Sequence, residues 1–204
     1  WDSCLKMFNL AKEFLEAVIV ALIVFFIVDS SVQNFKVEGA SMAPTLGSGE
    51  YIIVNKLAYF DLDTYELSTL IPFWHISPDG NRSRLFEREG PIVGDVIVFT
   101  RESDPSRKFV KRIIGRPGDQ VSIMDGMTYV NGDVLREAYL VGVGADQNQE
   151  YNPLGSDEFF VMGDNRTASS DSRHWGPISM DSVIGKVLAD YDLPFDVGFV
   201  KETE

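Results

Sequence analysis

The chain reads as mainly β, a barrel or sandwich-like body of short strands behind one apolar helix, and three observations predict this. Helical spacing of apolar residues is lost after residue 28. Eight runs rich in β-branched and aromatic residues follow, at 31–37, 51–55, 95–100, 109–114, 120–124, 128–130, 159–162 and 183–188. Turn signals separate them, among them Pro117-Gly118-Asp119, Asp125-Gly126 and Asn131-Gly132. Asn-Gly between two strand-like runs marks a hairpin, because both central turn positions want positive φ. Many short strands with regular turns argue a β body and not an α/β one. There is no internal repeat.

The first element is the apolar run at 14–28, which only Glu16 interrupts. A bilayer core needs about 20 apolar residues, and the run is about 15 long, or about 19 from Leu10. Lys12 can snorkel toward headgroups. A cleaved secretory leader needs small residues after Val28, and Asp29-Ser30-Ser31 fits poorly. A buried core helix would carry a polar stripe, whereas residues 17–28 are apolar on every side. The sequence therefore predicts a membrane anchor within residues 1–30 and a β-rich domain over residues 31–204. A lipid bilayer is the partner expected of the anchor. Lys6 and Lys12 before the run, against Lys36 and Lys56 after it, are too few to fix orientation. Beginning at Trp1 and not at Met, the chain is expected to lack part of a native N-terminus.

Two connections break the strand rhythm. Residues 60–91 are long for a loop, and such loops are usually functional or mobile. Leu70, Ile71, Phe73 and Trp74 give this loop an apolar tip, which either touches a bilayer or closes over the core. Residues 139–157 form the second connection.

Composition narrows the chemistry. With 204 residues there is room for one ordinary domain and an anchor. A formal net charge of −13 repels nucleic acid, so no nucleic-acid partner is expected. Arg107, Lys108, Arg112 and Arg116 cluster against that trend and read as strand ends and a turn. Cys4 is the one cysteine, so no intrachain disulfide forms. His75 and His174 lack metal-ligand spacing, and neither a metal nor a cofactor is expected.

A serine hydroxyl needs a base to take its proton. No Ser-His-Asp set fits here, since His75 lies in the irregular loop and His174 adjoins Trp175. A lysine can serve only when neutral, which requires lowering its pKa from about 10.4 by desolvation. Lys111 has the setting, because Phe109, Val110, Ile113 and Ile114 surround it and no carboxylate stands two residues away. Ser41 alone, in Gly39-Ala40-Ser41-Met42, would read as a turn serine.

The order of blocks changes that reading. Ser41-Met42-Ala43-Pro44-Thr45-Leu46 is followed by residues 94–99, from Gly94-Asp95 to Phe99. Lys111-Arg112-Ile113-Ile114-Gly115-Arg116-Pro117-Gly118-Asp119 comes next. The last block opens Gly163-Asp164-Asn165-Arg166 and continues through Ser169, Asp171, Ser172 and Arg173 to Trp175-Gly176. Over residues 10 to 190 this series resembles the type I signal peptidase, or leader peptidase, family. Its members are membrane-anchored proteases that remove signal peptides from exported proteins. About 40 residues lie between Asp119 and Gly163, which resembles the compact single-anchor form.

The resemblance implies a β-barrel or coiled-sheet peptidase domain with one N-terminal transmembrane helix. It implies a plasma-membrane location, with the catalytic domain on the extracytoplasmic side. Ser41 would be the nucleophile and Lys111 the base, with Ser169 hydrogen-bonded to the lysine. The Ser41 N–H would serve the oxyanion. Some relatives place a hydroxyl two residues before the nucleophile, where this chain has Gly39, so the second oxyanion donor is unassigned. Gly163, Asp164, Asp171 and Arg173 would support the site. Phe35, Val37, Met42, Leu46, Phe109, Val110 and Met162 would line small apolar subsites or be plain core. Small subsites imply signal peptides with Ala-x-Ala-like cleavage sites as partners, bound in extended form by strand addition. Sequons at Asn81 and Asn165 read as incidental, the second lying inside the last block. A self-cleaving repressor protease with the same dyad is a competing reading, disfavoured by the anchor and the acidic charge. A catalytically silent β-scaffold would be expected to lose Ser41 or Lys111.

Overall fold

The computed structural model describes residues 2–59, 90–140, 148–192 and 196–199. The apolar tip of the long loop, His75 and the Asn81 sequon lie outside these residues, as does part of the second connection, 141–147.

The N-terminal helix spans Asp2–Ser31 and runs without a break into β1, Val32–Lys36. Its apolar side chains face outward: Phe14 is 72% exposed and Phe26 65%. Among the described residues no helix is long and apolar enough to cross a membrane. The charged pair Lys12–Glu16, 3.6 Å apart on adjacent turns, marks where the apolar run gives out.

The body is antiparallel throughout. One sheet runs in the order β1, β2 (Tyr51–Asn55), β11 (Val183–Asp192), β3 (Val96–Arg101), β4 (Asp104–Gly115), β9 (Glu158–Met162), β10 (Ile178–Ser179). A further strand, β12 (Asp196–Phe199), pairs with β11. The second sheet is ordered β7 (Asp133–Val134), β6 (Met127–Val130), β5 (Val121–Met124), β8 (Gln149–Glu150). The expected barrel is not closed: β1 and β10 end the large sheet without pairing to each other. Register shifts in β11 and β4 bend the sheet instead.

The eight sequence runs all fall on strands. The structure lengthens the fourth back to Asp104 and the last on to Asp192. Four short strands, β7, β8, β10 and β12, had no sequence signal, because pairs of two to four residues are too short to show alternation. Both Gly-containing hairpins form as the φ rule requires, with Asp125 and Gly126 at +51° and +77° and Asn131 and Gly132 at +55° and +88°.

Three apolar clusters fill the body. The first packs Met42 and Leu46, from the turn after β1, against Ile52, Val54, Val96 and Val98. Burying each of those two side chains contributes roughly 1.5–3 kcal/mol, so the turn that carries Ser41 is pinned from below.

Asn131 holds its turn twice over: its side chain accepts from Gln120 N at 2.9 Å and donates to Asp119 at 2.8 Å. Asn131→Ala is expected to lower unfolding free energy by about 2 kcal/mol, from the left-handed φ and the lost bonds. Asn131→Gly, which keeps the φ free, is expected to lose about half as much in denaturant titrations. Equal losses would remove the backbone share of this account.

Candidate active site

Ser41 sits in the tight turn after β1, where Ala43 N donates to Ala40 O and Leu46 N to Met42 O. Lys111 lies on β4 just before that strand pairs with β9 at Arg112↔Met162. The two side chains come from 70 residues apart and meet: Lys111 Nζ donates to Ser41 Oγ at 2.7 Å and to Val110 O at 2.9 Å. Lys111 is 4% exposed, while Ser41 stays partly open.

Burial pushes the Lys111 pKa down from 10.5 to about 8. The Asp171 and Asp164 carboxylates act in the opposite sense and Arg107 and Arg173 reinforce burial, but removal from water dominates. Among the described residues no carboxylate pairs with Lys111 within ion-pair distance. Such an amine can exist neutral at mild pH and accept the proton of the hydroxyl it touches.

Buried ion pairs hold this contact in place. Arg112, beside Lys111 in sequence, grips Asp164 with two parallel bonds, Nε–Oδ1 at 2.9 Å and Nη2–Oδ2 at 2.7 Å. It also donates to Gly94 O at 2.7 Å and lies over the Tyr139 ring at 4.0 Å. Thr45, four residues after Ser41, donates its hydroxyl to the same carboxylate at 2.5 Å. Asp164 therefore couples the serine turn to the lysine strand. A second carboxylate, Asp171, takes Arg173 Nε and Nη2 at 2.7 and 2.9 Å and Gly163 N at 3.0 Å. Burial alone would raise the Asp171 pKa; the Arg173 bonds and the Gly163 N–H outweigh it and hold it below the usual range. Arg166, paired with Glu137, donates to Thr128 at 2.9 Å and to Gly163 O at 3.2 Å.

The structure gathers Ser41, Lys111, Gly163, Asp164, Asp171 and Arg173 in one place. Ser169 is also there, buried, yet it is not a hydrogen-bond partner of Lys111. The lysine's contacts go to Ser41 and the Val110 carbonyl, and the Ser169 hydroxyl lies on the Asp171 side, outside strict hydrogen-bond geometry but near enough to help lower the Asp171 pKa. The Ser41 N–H donates to no other group among the described residues, and Gly39 N donates to Ser48 Oγ at 3.2 Å. A groove of about 630 Å³ opens beside Ser41, lined by Phe35, Val37, Met42, Phe109 and Val110. Leu46 and Met162 do not line it: both are fully buried, Leu46 under the serine turn and Met162 in the third cluster. Apolar spacing could not separate a groove wall from the core behind it. Thr45, Arg112, Arg166 and Glu137 were missed as site supports. Arg112 and Arg166 showed only as charges within the motif blocks, which ordinarily means a solvated face, while Thr45 and Glu137 gave no signal of their own.

The walls of the groove are free strand edges. Among the described residues, β4 from Asp104 to Lys111 pairs with β3 on one side only, and β1 pairs only with β2. An extended peptide can therefore hydrogen-bond between them.

The family model described as "Signal peptidase, peptidase S26" matches residues 10–191. The chain is similar to a signal peptidase I of Bacillus caldolyticus, 35% identical over 170 residues, covering 76% of each chain. It is similar to a signal peptidase IB of Staphylococcus aureus, 30% identical over 197 residues, covering 86% of this chain and 88% of that one. A crystal structure of a signal peptidase I from Enterococcus faecalis matches with 32% identity and a TM-score of 0.42, covering 48% of this chain and 97% of the other.

Two substitutions test the geometry. Below pH about 8 the folded chain carries a buried ammonium that the unfolded chain keeps in water. Between about 8 and 10.5 the unfolded chain binds more protons, so this group makes stability rise with pH across that window. Lys111→Met is thus expected to raise stability at neutral pH by about 1–3 kcal/mol and to flatten that rise, read from thermal melts at pH 7 and 10. A less stable variant would contradict an uncompensated lysine. At Gly163, a Cβ would fall 2.3 Å from Ser169 Oγ and 2.4 Å from Ser41 O. Gly163→Ala should cost about 1–3 kcal/mol and perturb the Lys111 titration followed by NMR; an unchanged titration would separate Gly163 from the dyad.

Proposed function

This chain belongs to the signal peptidase family, peptidase S26, and from that premise we propose how its residues cut. It is a serine endopeptidase that removes signal peptides. Ser41 is the nucleophile and Lys111 the general base. The observation that carries this is the 2.7 Å contact between Ser41 Oγ and a lysine Nζ whose pKa is lowered to about 8.

The neutral amine takes the hydroxyl proton as Ser41 Oγ adds to the scissile carbonyl carbon. Charge collects on the carbonyl oxygen, where the unengaged Ser41 N–H is available to it. The ammonium then returns its proton to the leaving amine and the C–N bond breaks, leaving the acyl group on Ser41. Water repeats the sequence, giving its proton to Lys111 and releasing the acid. Asp171 with Arg173, and Asp164 with Arg112, keep both reacting atoms in register. Their role is positioning, since none of them reaches Ser41 Oγ.

The bound peptide lies extended between β1 and β4, with small side chains facing Phe35, Val37, Met42 and Val110; Ala-x-Ala-like sites suit walls of that kind. The outward apolar surface of the N-terminal helix favours contact with lipid, although no described helix is long and apolar enough to cross a membrane; family membership is what favours a single-pass plasma-membrane anchor with the β body on the extracytoplasmic side. That arrangement sets β1, and so one groove wall, directly beyond the lipid.

Cleavage of a preprotein in lipid vesicles tests the reading. Ser41→Ala and Lys111→Met are each expected to remove nearly all turnover, and His174→Ala to leave it largely intact. Because only the neutral amine accepts a proton, the limiting rate should rise with pH through a midpoint near 8. Turnover that survives Lys111→Met, or a limb near 6.5 that vanishes with His174, would end the lysine-base reading.

A further inference from the structure

Among the described residues the buried arginines are paired, Arg112 with Asp164, Arg166 with Glu137 and Arg173 with Asp171, and the half-buried Lys186 pairs with Asp95; Lys111 is the buried exception. The groove is different. Lys36, Arg107 and Lys108 line it, and among the described residues none has a carboxylate within ion-pair distance, although the chain carries 31 acidic residues against 18 basic ones. Each rests on a ring instead: Lys108 Nζ is 5.6 Å from the Phe35 centroid, Arg107 5.3 Å from Phe109, Lys36 5.8 Å from Tyr51. At an exposed position such a contact is weak and easily exchanged. The Lys108–Phe35 contact spans the groove, from the free edge of β4 to β1. The groove's acids do not cancel these cations. Asp104 takes the Ser106 hydroxyl at 2.8 Å, and Glu38 lies at the Ser41 end.

We propose that this groove holds a subsite for an acidic side chain of the bound peptide, formed by Lys108 at the free edge of β4, with Arg107 and Lys36, which face the other way on their strands, adding positive potential. Lys108 and Arg107 stand three and four residues before Lys111 on β4, about 10 and 13 Å along a strand at about 3.3 Å per residue. A peptide paired to that edge advances at the same rise. The acidic residue therefore sits about three to five residues from the cleaved bond, and Lys108 leaves Phe35 to meet it. A basic residue at the same position is repelled. The position assigned rests on Ser41 and Lys111 marking the cut.

A peptide series tests this. One neutral peptide with a small-residue cleavage site is compared with copies carrying Asp, Asn or Lys at each position from the third to the fifth on either side of the cut bond. With the full chain in zwitterionic vesicles, Asp is expected to beat Asn about three- to tenfold in kcat/KM at one such position, and Lys to fall below Asn. The advantage should vanish in about 1 M salt, where charges are screened beyond about 3 Å. Lys108→Glu should invert the order of Asp and Lys, and Arg107→Gln should shrink the ratio. Dissociation constants on Ser41→Ala, read by fluorescence anisotropy, should repeat the ratio without any turnover. If those constants keep the ratio while the wild type cuts nothing, the subsite stands and the Ser41/Lys111 reading falls. A ratio near one at every position, or one that survives Lys108→Glu, overturns the subsite. So does a result in which Lys108→Glu weakens binding only to vesicles of anionic lipid, which would make the headgroup the occupant.

Discussion

The structure depends on keeping one lysine out of water without giving it a counter-ion. An ammonium buried in that way is costly, and the cost is what makes the amine a base at mild pH. Lys111 meets the condition because β4 carries it between two apolar clusters while the serine turn closes over its end. Carboxylates stand close by, but each is already committed: Asp164 to Arg112 and Thr45, Asp171 to Arg173 and the Gly163 N–H. Were either released, it would restore the lysine's charge. The arginines therefore serve the lysine by occupying its rivals.

The same pairs fix distance. Ser41 and Lys111 belong to elements that do not pair with each other in the sheet, so strand register cannot set their separation. Asp164 does so by bridging Thr45 on one element and Arg112 on the other. The Gly163 loop then locks to the serine turn through Asn165 N and Ser41 O at 3.0 Å. That approach is close enough to exclude any side chain at Gly163. Burying Lys111 without a counter-ion costs stability, and the ties around it hold the arrangement in place.

The open sheet is what the proposed peptide binding requires. A closed barrel would have no free edges. Here, among the described residues, β1 and the outer half of β4 keep theirs, and the groove lies between them with Ser41 at one end and cations without an ion-pair partner toward the other. The twelve-residue length of β4 joins both ends: it carries Lys111 and also the exposed wall.

Much was legible in the amino-acid order. Period-two runs and the Asp125-Gly126 and Asn131-Gly132 turns placed the longer strands, because alternation and positive φ are local properties. The motif blocks singled out Ser41 and Lys111, and the apolar neighbours of Lys111 announced its lowered pKa. Other features only the tertiary structure decided. Whether an apolar residue lines a groove or fills the core depends on what packs behind it, so Leu46 and Met162 went to the core while Phe35 and Val110 stayed on the wall. Whether an arginine is solvated or buried depends on a carboxylate about 50 residues away, as with Arg112 and Asp164. Sheet closure depends on bulges in β11 and β4 that leave no periodic trace. Sequence settles what is set by neighbours along the chain; contacts between distant segments settle the rest.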